Sequence, residues 1–337
     1  MVKIENIGYL LFHRIHTFAH TFHLMQSDTI LLIGASGQIG AELTMYLRNI
    51  FGNSKVVAAD IKKPESGVFE SGPFTELDVL DKNTFIETVK KNNVTQIYNL
   101  AAMLSATSEK IPLKAWQLNM DGLFNTLEIA KDNNINKVYW PSSIAAFGPG
   151  TEKQNTQQHT IMDPVTIYGI SKLAGERLCE WYFLKHNIDV RSIRYPGLIS
   201  YKTEPGGGTT DYAVDIYFQA KSKKEYTCFL KEDTKLPMMY MPDAIRGTVE
   251  LMEADADKIK IRSSYNFSAM SFDPQMVASS IKKHIPEFEI TYSVDFRQKI
   301  AEGWPQSIDD VDARNQWGWK HQFDLDAMTI DMLRNIS

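Results

Sequence analysis

The stretch Thr29-Ile30-Leu31-Leu32-Ile33-Gly34-Ala35-Ser36-Gly37-Gln38-Ile39-Gly40 decides the fold. Thr29–Gly34 is a short apolar run ending in glycine, the pattern of a parallel strand buried on both faces. Glycines then recur as G-x-x-G-x-x-G, and a helical stretch runs from Gln38 to Ile50. Gly34 permits the tight turn off the strand. Gly37 lets a pyrophosphate approach the backbone, and Gly40 lets the helix pack against the sheet. The pyrophosphate would sit on free N–H groups at the positive end of the helix. Asp60 closes a second apolar run, Lys55–Asp60, 20 residues past Gly40. A carboxylate there accepts hydrogen bonds from both adenosine ribose hydroxyls and repels a 2′-phosphate. Strand, loop, helix and acid together predict a dinucleotide site. Asp60 favours NAD over NADP, with Lys62 and Lys63 working against that preference.

Outward from this motif the alternation continues. Asp81–Asn92 reads as a helix, Gln96–Ala101 as a strand and Pro112–Asn133 as a long helix opened by proline. Lys137–Pro141 reads as a strand, Tyr168–His186 as a helix and Asp189–Tyr195 as a strand. Strands and helices alternating through short connections predict an α/β fold, a doubly wound parallel sheet covered on both faces. Beyond about residue 200 the pattern loosens into a smaller lobe at the carboxyl edge of the sheet, where such folds bind ligands. The division expected is an extension over 1–26, a nucleotide-binding part over 27–201 and a substrate lobe over 202–236 and 259–337. A segment at about 237–258 returns to the nucleotide-binding part. Asp78 and Val79 follow a third short strand and are candidates to flank the adenine. Asn99-Leu100-Ala101-Ala102 ends its strand in small residues that let the dinucleotide pass closely. Strand-end packing explains each of these equally well. Asn119, Tyr168, Lys172, Tyr195, Leu198 and Ile199 complete the candidate cofactor contacts, with Lys172 expected to hold the nicotinamide ribose.

Composition removes whole classes. The 337 residues are 43% hydrophobic and 23% charged, which excludes disorder and low-complexity tracts. No apolar run reaches the roughly 18 residues of a membrane-spanning helix. The net charge of −5 argues against a nucleic-acid partner, which needs a basic face. The only cysteines, Cys179 and Cys228, make neither a disulfide scaffold nor a zinc site, and suit a reducing compartment. Residues 1–24 stand apart, with Glu5 as the one acid and His13, His16, His20 and His23 at helical spacing. They read as a metal-binding stripe, as a targeting helix short of arginine and serine, or as a dispensable extension before Met25. The extension is the plainest of the three. Cytoplasmic residence follows from it, and mitochondrial residence from the targeting alternative. No metal is expected elsewhere.

Tyr168 and Lys172 lie one helical turn apart and share a face. A phenol is a poor base near neutral pH, with a free pKa near 10. A neighbouring ammonium favours the phenolate. The same spacing recurs at Tyr217 and Lys221, so context must separate the two pairs. Ser142 and Ser143 lie 26 and 25 residues before Tyr168, just past a strand, where a hydroxyl can orient a substrate oxygen. Tyr217 has only Ser192, inside a predicted strand, and Lys221 belongs to a solvated lysine run. Tyr168 is the candidate base, Ser143 the stronger of the two serines, and Tyr217 an ordinary helix-surface residue.

The glycine loop, Asp60, Asn99-Leu100-Ala101-Ala102, Ser143 and Tyr168/Lys172 together resemble the extended short-chain dehydrogenase/reductase superfamily, over nearly all of the chain after Met25. That resemblance implies a Rossmann-type sheet with a smaller C-terminal substrate lobe. Its sugar-nucleotide epimerases and dehydratases usually carry an Asn, a Gly-Pro-Arg stretch and bases for a diphosphate after the fifth strand. Here the chain reads Arg194-Tyr195-Pro196-Gly197-Leu198, and Leu198 to Asp215 holds one base against three acids. Pro205 to Asp215 (P-G-G-G-T-T-D-Y-A-V-D), Trp140 to Gly148 (W-P-S-S-I-A-A-F-G) and Ala301 to Pro305 (A-E-G-W-P) instead resemble the short-chain type of L-threonine 3-dehydrogenase. That resemblance implies contacts to the amino acid from Ser105, Thr209, Thr210 and Trp304, with Tyr168 as base and Ser143 as its hydroxyl partner. It also implies NAD-dependent oxidation of L-threonine to 2-amino-3-ketobutyrate, and a homodimer built on the helices at 112–133 and 168–187.

Read from its residues alone, the triple glycine before a predicted helix at Thr210 offers N–H groups to a small carboxylate, or is simply a flexible connection. Asp211 is a candidate substrate contact or a helix cap. Trp304 is a lid or a core aromatic. Two rivals stay open: a nucleotide-sugar epimerase or dehydratase, and a NAD-sensing regulator that does no chemistry.

Overall fold

The structure, a computed structural model, describes residues 28–63, 67–204, 206 and 208–336. The N-terminal histidines lie outside the described residues, as do Pro205 and Gly207 of the glycine-rich loop. In chain order the first strands are β1 (Ile30–Ile33), β2 (Val56–Asp60), β3 (Phe74–Glu76), β4 (Gln96–Asn99), β5 (Lys137–Tyr139), β6 (Ser142–Ser143) and β7 (Val190–Arg191). All but β6 pair in one parallel sheet, in the order β3-β2-β1-β4-β5-β7. Every residue of β1 is buried, as its unbroken apolar run requires. The strand order reverses between β1 and β4, and this switch point opens a crevice at their carboxyl ends. The doubly wound α/β fold is thus present.

Local chemistry fixes the helix ends. Asp81 caps the helix Lys82–Lys91 by accepting from the N–H groups of Asn83 and Thr84. Thr166 caps Ile167–His186 by accepting from Gly169 N at 3.1 Å. The long helix expected at 112–133 runs as Pro112–Trp116 and Gly122–Asp132, joined by a π turn, Gln117–Asp121. Such turns recur at functional sites, and this one turns Asn119 inward.

Two expected strands are each interrupted. Tyr139 pairs with Arg191, and Ser142 pairs with Arg194 of β8 (Ile193–Tyr195) in the same register. The gap falls at Pro141, which has no N–H to give the ladder. Past it the pairing resumes in a smaller sheet, where β8 lies between β6 and β12 (Tyr265–Asn266).

The rest of the lobe carries β9 (Gly197–Ile199), paired through Leu236–Tyr240 with Met270–Phe272. The helices Tyr212–Ser222, Pro274–Lys282 and Leu325–Asn335 pack together over its core. Tyr217 belongs to that core, contrary to its surface expectation. It is wholly buried, with its hydroxyl bonded to Thr329 at 2.8 Å. The helices Pro274–Lys282 and Leu325–Asn335 that pack on its helix lie more than 50 residues further along the chain, and that part of the burial has no local pattern. No helix among the described residues is long and apolar enough to cross a membrane.

Candidate active site

One cavity of about 1130 Å³, counting its open mouth, runs along the switch point from the glycine loop to the lobe. At one end sit Gly34, Gly37, Gln38, Ile39 and Gly40. Gly34 has φ +86°, in the left-handed region that favours glycine. A Cβ on Gly40 would lie 2.0 Å from the Gly34 carbonyl oxygen, so only glycine lets the helix start this close to the strand. Among the described residues no side chain caps the helix Gln38–Phe51, which leaves its first N–H groups to a ligand. The Asp60 carboxylate is pinned by Ser36 N at 2.9 Å and Lys62 N at 3.1 Å, with lone pairs left for ribose hydroxyls. Lys63 lies over the Phe69 ring, 3.6 Å from its centroid. These residues fit a dinucleotide.

In the middle of the cavity, the helix Ile167–His186 presents half-buried Tyr168 and buried Lys172. A Cβ on Gly169 would meet the Ala145 carbonyl oxygen at 2.2 Å. Glycine therefore draws the helix against the turn that follows Ser143. Burial pushes the Tyr168 phenol up to about 12, against a smaller downward pull from the Ser143 hydroxyl. Lys172 donates to the Pro141 carbonyl at 2.6 Å. Burial lowers its ammonium to about 7, while Cys179 and Glu176 favour the charged form. Ser142 and Ser143 both line the cavity. The Ser142 hydroxyl donates to buried Glu176 at 2.6 Å, and Glu176 also holds Arg194 at 2.8 Å, whereas the Ser143 hydroxyl accepts from Ala145 N at 3.2 Å.

The far wall comes from Ser105, Thr209, Thr210, Asp211 and Trp304. Thr209 is buried, and its hydroxyl has no hydrogen-bond partner among the described residues. The Asp211 carboxylate accepts from Gly208 N at 2.7 Å and makes no helix-cap bond. Gly208 is therefore not the free carboxylate donor its place in the glycine run suggested. Trp304 is 7% exposed, packs in the lobe core and also lines the cavity.

The remaining candidates divide. Leu100, Ala102, Tyr195 and Leu198 line the cavity, though the Tyr195 hydroxyl is bonded to Thr248. Asp60, Asp78, Val79, Ala101, Asn119 and Ile199 stand outside its lining. Asp78 stays exposed and accepts from Leu80 N at 2.9 Å, while Val79 packs against Gly122. The Ala101 N–H donates to Asn99 at 3.1 Å. Asn119 bonds the Met103 backbone at 2.8 and 3.2 Å and Ser171 at 3.3 Å, latching the loop after β4 to the Tyr168 helix. The Ile199 side chain belongs to the lobe core. Sequence reading missed Pro141, Glu176 and Arg194. A proline interrupting a buried strand was the one signal available for them. Among the described residues no group of three or more His, Cys, Asp or Glu could hold a metal ion.

A glycine cradle at a switch point, opening onto a tyrosine–lysine pair, defines a dinucleotide-dependent α/β enzyme. The sequence model of the NAD dependent epimerase/dehydratase family matches residues 30–266. An uncharacterized epimerase/dehydratase of Staphylococcus saprophyticus is 51% identical over 306 residues, 90% of this chain and 95% of that one. The chain belongs to the NAD dependent epimerase/dehydratase family, and its cofactor is NAD. Two solved structures lie within the same likeness. The GalE-like L-threonine dehydrogenase of Cupriavidus necator, in its holo form, is 52% identical with a TM-score of 0.90, over 92% of this chain and 100% of that one. The L-threonine dehydrogenase of Clostridium difficile is 52% identical with a TM-score of 0.90, over 92% and 97%.

Proposed function

We propose that this protein oxidises L-threonine at C3 to L-2-amino-3-ketobutyrate. The observation that carries the reading is Thr209: a buried hydroxyl, without a partner among the described residues, on the wall of the cavity that also holds Tyr168 and Ser143. A buried hydroxyl without a partner costs about 1–3 kcal/mol, and a small polar substrate would offset that cost. The likeness to L-threonine dehydrogenases over more than nine-tenths of the chain supports the same substrate. Among the described lining residues Lys172 is the single cationic side chain. A substrate bearing a diphosphate would find no second cation there.

NAD, when bound, supplies the hydride acceptor. The Ser143 hydroxyl holds the 3-hydroxyl of threonine toward Tyr168, and the Tyr168 phenolate removes its proton. Lys172, anchored on the Pro141 carbonyl, supplies the positive charge that makes phenolate accessible. Thr209 and Thr210 offer hydroxyls to the amino acid, and Trp304 shields it from water. The test is NADH absorbance with purified protein, NAD and L-threonine, beside D-threonine, L-serine and UDP-glucose. Rapid NADH formation with L-threonine alone is expected. Silence there, with NAD still bound, would refute the reading and turn attention to a sugar nucleotide or a non-catalytic sensor.

The chain is further proposed to pair with a second copy. Leu113, Trp116 and Phe124 are exposed on one long helical run, and Ile170, Trp181 and Leu184 on the next. The two runs pack side by side, and exposed apolar side chains gathered on neighbouring helices mark an interaction surface. Sedimentation at micromolar concentration should give twice the mass of one chain; a single-chain mass would refute it.

A further inference from the structure

Burial sets the Tyr168–Lys172 pair against its task. A desolvated phenol resists losing its proton, and a desolvated ammonium resists keeping one. Something nearby must favour the lysine cation. The groups acting on Lys172 from its own helix are Tyr168, Glu176 and Cys179. The Glu176 carboxylate is already shared by Ser142 and by Arg194, which reaches it from β8. From the strand side come the Pro141 carbonyl, at 2.6 Å, and the indole of Trp140, whose ring centroid lies 4.4 Å from Nζ. Tryptophan offers the strongest of the aromatic faces to a cation, and 4.4 Å is inside the working range of about 6 Å.

The indole has little freedom to lie elsewhere. It is 3% exposed, and its six-membered ring rests on the bare backbone of Gly175. A Cβ on Gly175 would lie 2.3 Å from that ring. Gly175 follows Lys172 by three residues, so slot and ammonium share one helix face. The strand interruption at Pro141 thus delivers two supports to one cation, a carbonyl and, one residue earlier, an aromatic face.

We propose that the Trp140 ring keeps the Lys172 ammonium charged beside Tyr168, and so acts as a positioning residue for proton removal. This rests on the roles given above to Tyr168 and Lys172, but the ring–cation contact is testable without substrate. The full-length protein is labelled with ¹³Cε-lysine, and the Lys172 resonance is assigned by its loss in Lys172→Met. Its titration is then followed in protein made with tryptophan, 5-fluorotryptophan or 5,6,7-trifluorotryptophan. Fluorine drains the ring face while nearly preserving its shape. The Lys172 midpoint should fall stepwise, by about 0.5 pH unit in all. In Trp140→Phe, the same analogues should leave the midpoint unmoved, which separates Trp140 from the other five tryptophans. An unmoved Lys172 midpoint in the wild-type chain would overturn the proposal, as would a shift that persists in Trp140→Phe. If Trp140→Phe does not fold, the fluorinated series in the wild-type chain still decides whether a ring face acts on Lys172. A shifting midpoint in a protein silent toward L-threonine would sink the functional reading and leave the ring–cation contact standing.

Discussion

The two ends of the cavity are built in opposite ways. The nucleotide end is one continuous strand–turn–helix, and its shape is enforced by backbone sterics: a methyl group on Gly40 has nowhere to go. The end proposed for substrate is assembled from Ser105, Thr209 and Trp304, which are far apart in the chain and meet only in the folded protein. Its key feature is a hydroxyl without a partner among the described residues. One end is specified by what cannot fit, the other by what is missing. Substitutions at the two ends should therefore fail differently, and the catalytic pair between them should fail differently again.

The largest effect is expected at the pair. Tyr168→Phe should lower kcat by about 10³-fold while changing NAD affinity by less than about twofold, read from initial rates and calorimetric titration. Retained activity would remove Tyr168 from the chemistry. At the nucleotide end, Asp60→Ala should lower the NAD-over-NADP ratio of kcat/KM by about tenfold or more. A ratio that stays put would mean the pinned carboxylate does not meet the ribose. At the substrate end, Thr209→Val keeps shape and removes the hydroxyl. It should raise KM for L-threonine by about tenfold and leave NAD affinity alone. A variant that weakened NAD instead would erase the contrast between the two ends.

The smallest effect is on stability. The folded state holds the Lys172 ammonium at about 7, below its ordinary value of 10.5. Between those values the unfolded chain binds more protons, so this group's contribution to stability rises with pH from about 7 to 10.5. Tyr168 has the opposite sign: its folded value is raised from 10.0 to about 12, so its contribution falls with pH across that window. Lys172→Met should therefore flatten the rise in Tm between pH 7 and 10 relative to the wild type, a difference of a few degrees by calorimetry. Parallel curves would contradict the burial of that charge.

Legibility followed the same divide. The glycine loop, Asp60 and the Tyr168–Lys172 spacing are local patterns with steric or helical causes, and the sheet around them follows from alternating apolar runs. Tyr217 misled because its hydroxyl partner, Thr329, lies on a distant helix, and the bond from Ser142 to Glu176 is apparent only once helix and strand are packed. The orphaned Thr209 hydroxyl has no sequence signature at all. Pro141 was visible throughout, but a proline in a strand announces an interruption without saying which cation will use the exposed carbonyl.

The most direct test of the central claim is to follow the hydrogen on C3. L-Threonine deuterated at that carbon, given to the purified protein with NAD, should yield NADH carrying the deuterium, alongside 2-amino-3-ketobutyrate. NADH free of deuterium, or product formed with no NADH, would mean that the bond broken is not the one this site is built to break.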